Sequence, residues 1–238
     1  MKQLIAAILI TFLTFSCSKK EEKINAEIAY TKAMKLLKNK DYSQAAKEFD
    51  NIDDEYPFSS WAPKAQIMAI YANYKNEEFD LAISSISDFI RLNPSSEFVP
   101  YLMYLKGIIY YNKIPKISRA QDDTKQASLT FRELIARFPE TNYAKDGKDK
   151  LPFIDEHLAG WEMSVGRYQA KNTNYIGAIE HFSQVTSRYR LTKQVPEAYF
   201  RLFEIYKKIG INNQANAAKL SLESDFPDNY WTKLALKK

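Results

Sequence analysis

A single phrase, repeated with variations along the chain, limits the possible folds more than any other feature. It consists of an aromatic residue, two residues, an alanine, three residues and an apolar residue, followed some residues later by a stop. The first copy runs Tyr42–Ala45–Phe49 and ends at Tyr56-Pro57, and the second runs Phe79–Ala82–Ile86 and ends at Asn93-Pro94. Ala127–Phe131 ends at Phe138-Pro139, Tyr175–Ala178–Phe182 at Tyr189-Arg190, and Ala215–Lys219 at Phe226-Pro227. Proline at a stop cannot continue a helical hydrogen-bond ladder, so each phrase predicts a helix that ends there.

The stops at 57, 94, 139, 190 and 227 are 37, 45, 51 and 37 residues apart. The shorter spacings are close to the tetratricopeptide period of about 34 residues, in which each repeat is one helix-turn-helix unit. Before each phrase lies another stretch with apolar residues three and four apart, as in Ile28–Leu37, Ala65–Tyr74, Leu102–Tyr111 and Tyr199–Tyr206. That spacing predicts amphipathic helices. Where the paired helices approach, Ala33, Gly107 and Gly166 are small, whereas Ile70 and Phe203 are not. The expected fold is all-α: five tetratricopeptide-like repeats from about residue 25, stacked as a short right-handed solenoid. An insertion is expected around Lys113–Thr124 and a lengthened first helix from about Tyr143, with Pro152 kinking or dividing it.

Composition agrees. The chain has only 6 glycines in 238 residues, against the usual 7% or so, which is low for strand-rich or phosphate-cradling folds. The formal charge of +5, from 34 Lys and Arg against 29 Asp and Glu, is dispersed and does not imply nucleic acid.

The one cysteine lies where an N-terminal apolar run ends. Leu4–Phe15 carries no charge, follows Lys2, and gives way to Ser16-Cys17 and the polar Ser18–Glu22. The run is too short to span a bilayer and suits a secretory signal. Ser16-Cys17 resembles the bacterial lipobox, although Leu13 stands four residues before the cysteine and Phe15 is bulky. The expectation is a signal peptide over 1–16, acylation of Cys17 and a linker over 17–25. The acyl chains would tie the mature chain to a membrane surface outside the cytoplasm.

No catalytic set emerges. His157 and His181 have no metal-ligand spacing around them, and no glycine-rich phosphate loop or nucleophile elbow occurs. Asp53-Asp54, Glu77-Glu78 and Asp122-Asp123 read as solvated charges in turns or at helix starts. An enzyme is not expected, and no cofactor beyond the covalent lipid on Cys17.

Stacked helix pairs offer a concave surface lined by the first helix of each unit. In the first three units the positions facing it include Tyr30, Tyr71, Tyr74, Tyr101, Tyr104 and Tyr111. Tyrosines can stack on an aromatic peptide and bond to its backbone; each can equally pack between units. The later units bring charge instead, with Arg167, Arg188 and Arg190, which suits an oriented protein partner or an ordinary solvated face. The sequence thus divides into N-terminal repeats over 26–112 with the aromatic groove and C-terminal repeats over 113–238.

Longer stretches carry a closer likeness. Tyr56–Gln66 (YPFSSWAPKAQ), Tyr71–Ala82, Asp88–Pro94, Phe131–Asp146 and His157–Ile179 together resemble the BamD (ComL) family of outer-membrane assembly lipoproteins. The chain departs from that family at Arg119-Ala120-Gln121, at Arg190 in place of proline, and at His181, where the family often carries arginine. The resemblance implies a non-enzymatic scaffold and substrate receptor of the β-barrel assembly complex, anchored on the periplasmic face of the outer membrane. Implied partners are the barrel-forming protein through its last POTRA domain, accessory lipoproteins, and unfolded outer-membrane proteins through aromatic C-terminal segments. His181 joins Arg167, Arg188 and Arg190 as a candidate partner contact. The alternative is a lipoprotein scaffolding another periplasmic complex, for cell-wall or secretion assembly.

Overall fold

The structure, a computed structural model, describes residues 25–238. Cys17 and the apolar run before it lie outside the described residues. Among the described residues every regular element is an α-helix. The first four are α1 (25–38), α2 (Tyr42–Glu55), α3 (Ala62–Lys75) and α4 (Phe79–Leu92). Then follow α5 (Val99–Asn112), α6 (Asp122–Arg137), α7 (Asn142–Lys171) and α8 (Tyr175–Arg188). The last are α9 (Val195–Lys208), α10 (Asn212–Asp225) and α11 (Tyr230–Leu236).

Four of the five expected hairpins close through one turn. Between α1 and α2, α3 and α4, α7 and α8, and α9 and α10 the middle residue is left-handed: Lys40 at φ 64°, Glu77 at 62°, Thr173 at 60° and Gly210 at 82°. The following amide donates to a carbonyl five residues back in each case: Asp41 to Leu36, Glu78 to Asn73, Asn174 to Gln169 and Ile211 to Tyr206, at 2.9–3.0 Å. The left-handed residue itself donates three residues back. This is the Schellman closure, which satisfies helix-end carbonyls that would otherwise be orphaned. Between α5 and α6 the insertion 113–121 replaces it. Gln121 is buried; its amide donates to the Lys116 and Arg119 carbonyls and accepts from the Thr124 hydroxyl.

The stops share a second geometry. Tyr56, Asn93, Phe138, Tyr189 and Phe226 cap their helices at φ between −115° and −138° and ψ between 42° and 57°. Proline following four of them favours leaving the helical region, and Tyr189 adopts the same geometry ahead of Arg190. Three residues on come Ser59, Ser96, Thr141, Thr192 and Asn229, each of whose amides donates back to the cap carbonyl. The side chains of Ser59, Ser96, Thr141 and Asn229 also accept from amides at the start of the next helix.

Helices pack where size is complementary. A Cβ at Gly107 or Gly166 would lie 2.6 Å from Phe131 or Phe182, and one at Gly147 would lie 2.9 Å from Phe131. These glycines are slots for rings that are wholly buried. Ala33 and Phe49 share a buried cluster formed by α1, α2 and α3. Two compact units result, one ending at Leu102 and one over Met103–Lys238, with the boundary inside α5. The core of the second is continuous through α7, α8, α9, α10 and α11.

One expectation narrows and another changes. Pro152 does not divide α7, which runs unbroken over 30 residues. Pro152 and Lys148, whose carbonyl loses its helical donor, are both exposed, so solvent can take the freed acceptor. Asp53-Asp54 lies in neither a turn nor a helix start but in the last turn of α2, where Asp53 accepts a 2.7 Å hydrogen bond from Gln66 of α3. α11 follows the fifth stop, with Thr232 and Ala235 buried against the preceding helices.

Candidate peptide-binding and partner-docking surfaces

In the first unit Tyr30 stands between Phe49 and Trp61, ring centroids 5.3 and 4.8 Å away, and burial raises its pKa. Lys64 covers the outer face of Trp61, whose indole N–H is buried without a hydrogen-bond partner. Tyr71 and Tyr74 form a half-buried pair on α3, 6.3 Å apart, and Tyr74 continues to Phe79 at 6.1 Å. Tyr101 is half-buried in the first turn of α5.

The second unit gathers more. Tyr104 and Tyr111 of α5 flank buried Phe131 from two sides, at 6.3 and 6.5 Å. Two aromatics of α7 that the sequence argument did not single out join them: Tyr143 lies 5.4 Å from Tyr104, and Phe153 lies 5.7 Å from Tyr111. Both are exposed, Phe153 by 52%. An ion pair sits among these rings. Asp146 accepts from the Tyr104 hydroxyl at 2.7 Å and pairs with Lys150 at 2.9 Å, whose ammonium also lies over the Tyr111 ring. The Lys150 and Tyr104 hydrogen bonds hold the Asp146 carboxyl below its ordinary range, with partial burial opposing. Phe153 and Tyr143 face the surface of a helix that sequence periodicity lengthened correctly, so their spacing from α5 was the missing signal. His157 lies 5.6 Å from Phe153, and its Nε2 donates to the Pro115 carbonyl at 2.6 Å, tying the insertion to α7.

The four candidate partner residues do not share one place. His181 and Arg188 line a cleft of about 600 Å³ between α6, α7 and α8, whose walls include Trp161, Leu158, Leu129 and Tyr189. His181 Nδ1 lies 2.6 Å from a Glu162 carboxylate oxygen, and the His181 ring stands edge-on to Trp161 at 6.0 Å. Lys125 covers Trp161 at 4.9 Å, and Arg132 makes a two-pronged bond to Asp155 with both contacts at 2.7 Å. Burial raises the Tyr189 pKa, helped by the Glu162 and Asp155 carboxylates and opposed by Arg188 and Arg132. Arg167 instead pairs with Glu197 of α9 at 3.2 Å, and Arg190 donates to the Ser187 carbonyl just past α8. A repeat phrase assigns residues to helices; it does not separate the two faces a second helix presents.

Among the described residues no group of three or more His, Cys, Asp or Glu could hold a metal ion, and no helix is long and apolar enough to cross a membrane. An apolar-walled cleft and a ring-lined surface bind by contact, with charged pairs setting orientation.

A family model described as an outer membrane lipoprotein, YfiO, matches residues 22–220. The chain is 32% identical to the outer membrane protein assembly factor BamD of Caulobacter vibrioides, over 95% of this chain and 77% of that protein. It is 30% identical to BamD of Rickettsia prowazekii, over 100% of this chain and 96% of that protein. BamD of Neisseria meningitidis serogroup A is also 30% identical, over 85% of this chain and 80% of its own length. With helix hairpins and both repeat geometries in place, the chain belongs to the YfiO family of outer membrane lipoproteins, the family of the BamD assembly factors.

Proposed function

We propose that this chain is an outer-membrane protein assembly factor that works as a non-catalytic scaffold and substrate receptor. Family membership supports the role in assembly, and the aromatic surface on α5 and α7 supports the receptor activity. Tyr104, Tyr111, Tyr143 and Phe153 present ring faces around an Asp146–Lys150 pair. Such a surface takes an extended segment by stacking on its aromatic side chains, while hydroxyl and ammonium groups meet its backbone and charges. The substrates are unfolded outer-membrane proteins offering an aromatic C-terminal segment. Tyr30, Tyr71, Tyr74 and Tyr101 give the first unit a ring surface of its own.

The cleft lined by His181 and Arg188 is the docking place for the barrel-forming partner through a POTRA domain, with Arg167 and Arg190 as separate charged contacts beside it. Accessory lipoproteins complete the assembly. Acylated Cys17 holds the chain on the periplasmic face of the outer membrane, and no nucleic acid or cofactor takes part.

Calorimetry with a synthetic aromatic C-terminal peptide of an outer-membrane β-barrel protein tests the receptor. Replacing Tyr71, Tyr74 and Tyr104 by Ala weakens binding at least about tenfold, and exposed Phe153→Ala weakens it with helicity unchanged. Unaltered affinity in both variants overturns the reading. Capture from outer-membrane extract, with and without Cys17, brings down the barrel-forming protein as main prey; a secretion or cell-wall complex in its place overturns the partner assignment.

A further inference from the structure

The turns that close the last two regular hairpins differ from the others in chemistry. Turns 39–41 and 76–78 carry Asp41, Glu77 and Glu78. The segments 164–179 and 205–222, which contain turns 172–174 and 209–211, have no Asp or Glu at all. They end their first helices on Lys171 and on Lys207-Lys208. They also expose aliphatic tips: Ile176 by 82%, and Ile209 and Ile211 by 39% each. The two turns lie side by side, since the Lys208 ammonium sits 5.0 Å over the ring of Tyr175, the first residue of α8. Glu204, one turn back on α9, is taken by Arg201 and Lys238.

We propose that this edge of the second unit is a contact surface for a bilayer bearing anionic phospholipids. Lys171 and Lys208 meet lipid phosphates, Lys207, whose ammonium donates to the Lys238 carbonyl at 2.7 Å, adds positive charge beside them, and Ile176, Ile209 and Ile211 enter the headgroup boundary. Three observations favour lipid over an acidic protein. The exposed apolar side chains here are three aliphatics on two turns, whereas a protein interface is built around an apolar core with aromatic residues enriched. The cations are lysines, a residue depleted at protein interfaces. Flexible lysine stems flanking aliphatic side chains are the composition of interfacial membrane binding. Opposite charge across the two surfaces supplies the attraction. The proposal uses none of the peptide-surface residues of α5 and α7 and does not depend on acylation of Cys17.

The test is co-sedimentation of the full chain with phosphatidylcholine vesicles, with and without phosphatidylglycerol. The N-terminal apolar run is common to all variants, so differences between them report this edge. Lys171→Glu/Lys207→Glu/Lys208→Glu is expected to lower partitioning onto phosphatidylglycerol vesicles by at least about tenfold. Ile176→Ser/Ile211→Ser lowers it severalfold while leaving charge untouched, and both variants partition like the native chain onto pure phosphatidylcholine. All five positions are on the surface, and unchanged thermal melting checks that both variants fold. Equal partitioning of the lysine variant and the native chain overturns the proposal. So does a loss in the lysine variant with none in the isoleucine variant, which would mean that charge alone draws the chain to the vesicle and that the isoleucines do not enter the headgroup boundary.

Discussion

Hairpins α7–α8 and α9–α10 solve one packing problem with opposite residues. In α7–α8 the first helix supplies a slot, Gly166, and the second fills it with Phe182, which is fully buried. In α9–α10 the bulk is on the first helix, as Phe203, and the corresponding position on the second is Lys219, whose ammonium lies 5.8 Å over the Phe203 ring. Lys207 lies 5.7 Å from the same ring. The repeat therefore keeps a ring between the two facing helices and leaves open which helix provides it. Phe203, a departure when the repeats are aligned by residue type, still supplies the hairpin's ring, from the opposite helix.

Removing the ring from either hairpin breaks this comparison most directly. Phe182→Ala and Phe203→Ala should each destabilise the second unit by about 3–5 kcal/mol, measured by chemical denaturation. A much smaller loss at Phe203 would mean that Lys219 and Lys207 leave that ring only loosely held. Next in size is Gly166→Ala, whose Cβ would meet Phe182 at 2.6 Å. Overpacking of about 1–3 kcal/mol outweighs a helix-propensity gain of about 1 kcal/mol. In a Phe182→Leu background the same substitution should become neutral or stabilising, and additivity between the two would refute the slot. Lys219→Ala touches one ring face only and should cost about 0.5–1 kcal/mol.

The two turns sharpen the contrast further. Thr173 occupies φ 60° and Gly210 occupies φ 82°, and only glycine holds such a conformation without Cβ strain. Thr173→Gly should stabilise by about 1 kcal/mol and Gly210→Ala should destabilise by about the same. No atom lies within 4 Å of a Cβ at Gly210, so any loss there reports backbone strain alone. Opposite signs at the two sites are the expected result; equal signs would show that the closures are not equivalent.

Much of the fold was legible because its signals repeat. Aromatic–alanine spacing marked the second helices, and the prolines marked the stops. The serine, threonine or asparagine three residues past each helix cap is an equally readable mark. Left-handed turns were harder to see, because Lys40, Glu77 and Thr173 stand where glycine is expected and only Gly210 announces itself. The site was half legible. Tyr104 and Tyr111 were found from their place on a first helix, whereas Tyr143 and Phe153 needed the distance between α5 and α7. Arg167 and His181 were grouped as candidate partner contacts, but one points to α9 and the other into the cleft between α6, α7 and α8.

The largest difference between the two hairpins is length: α7 has 30 residues and α9 has 14. The extra turns carry the aromatic surface and the Asp146–Lys150 pair, for which α9 has no counterpart. Asp146 has its pKa lowered chiefly by the Lys150 hydrogen bond and then by the Tyr104 hydroxyl. A carboxyl with a depressed folded-state pKa adds stability above its unfolded value of about 3.9. That stability disappears as pH falls through the depressed value. With both partners at the surface, the contribution is at most about 1 kcal/mol. Carboxyl NMR titration should find Asp146 below the ordinary range in the native chain. Lys150→Met should move it up towards that range, and Tyr104→Phe should move it up by less. An Asp146 midpoint unmoved by both substitutions would mean that Lys150 is not held among the rings, leaving the extra length of α7 to present aromatic faces without a charged centre.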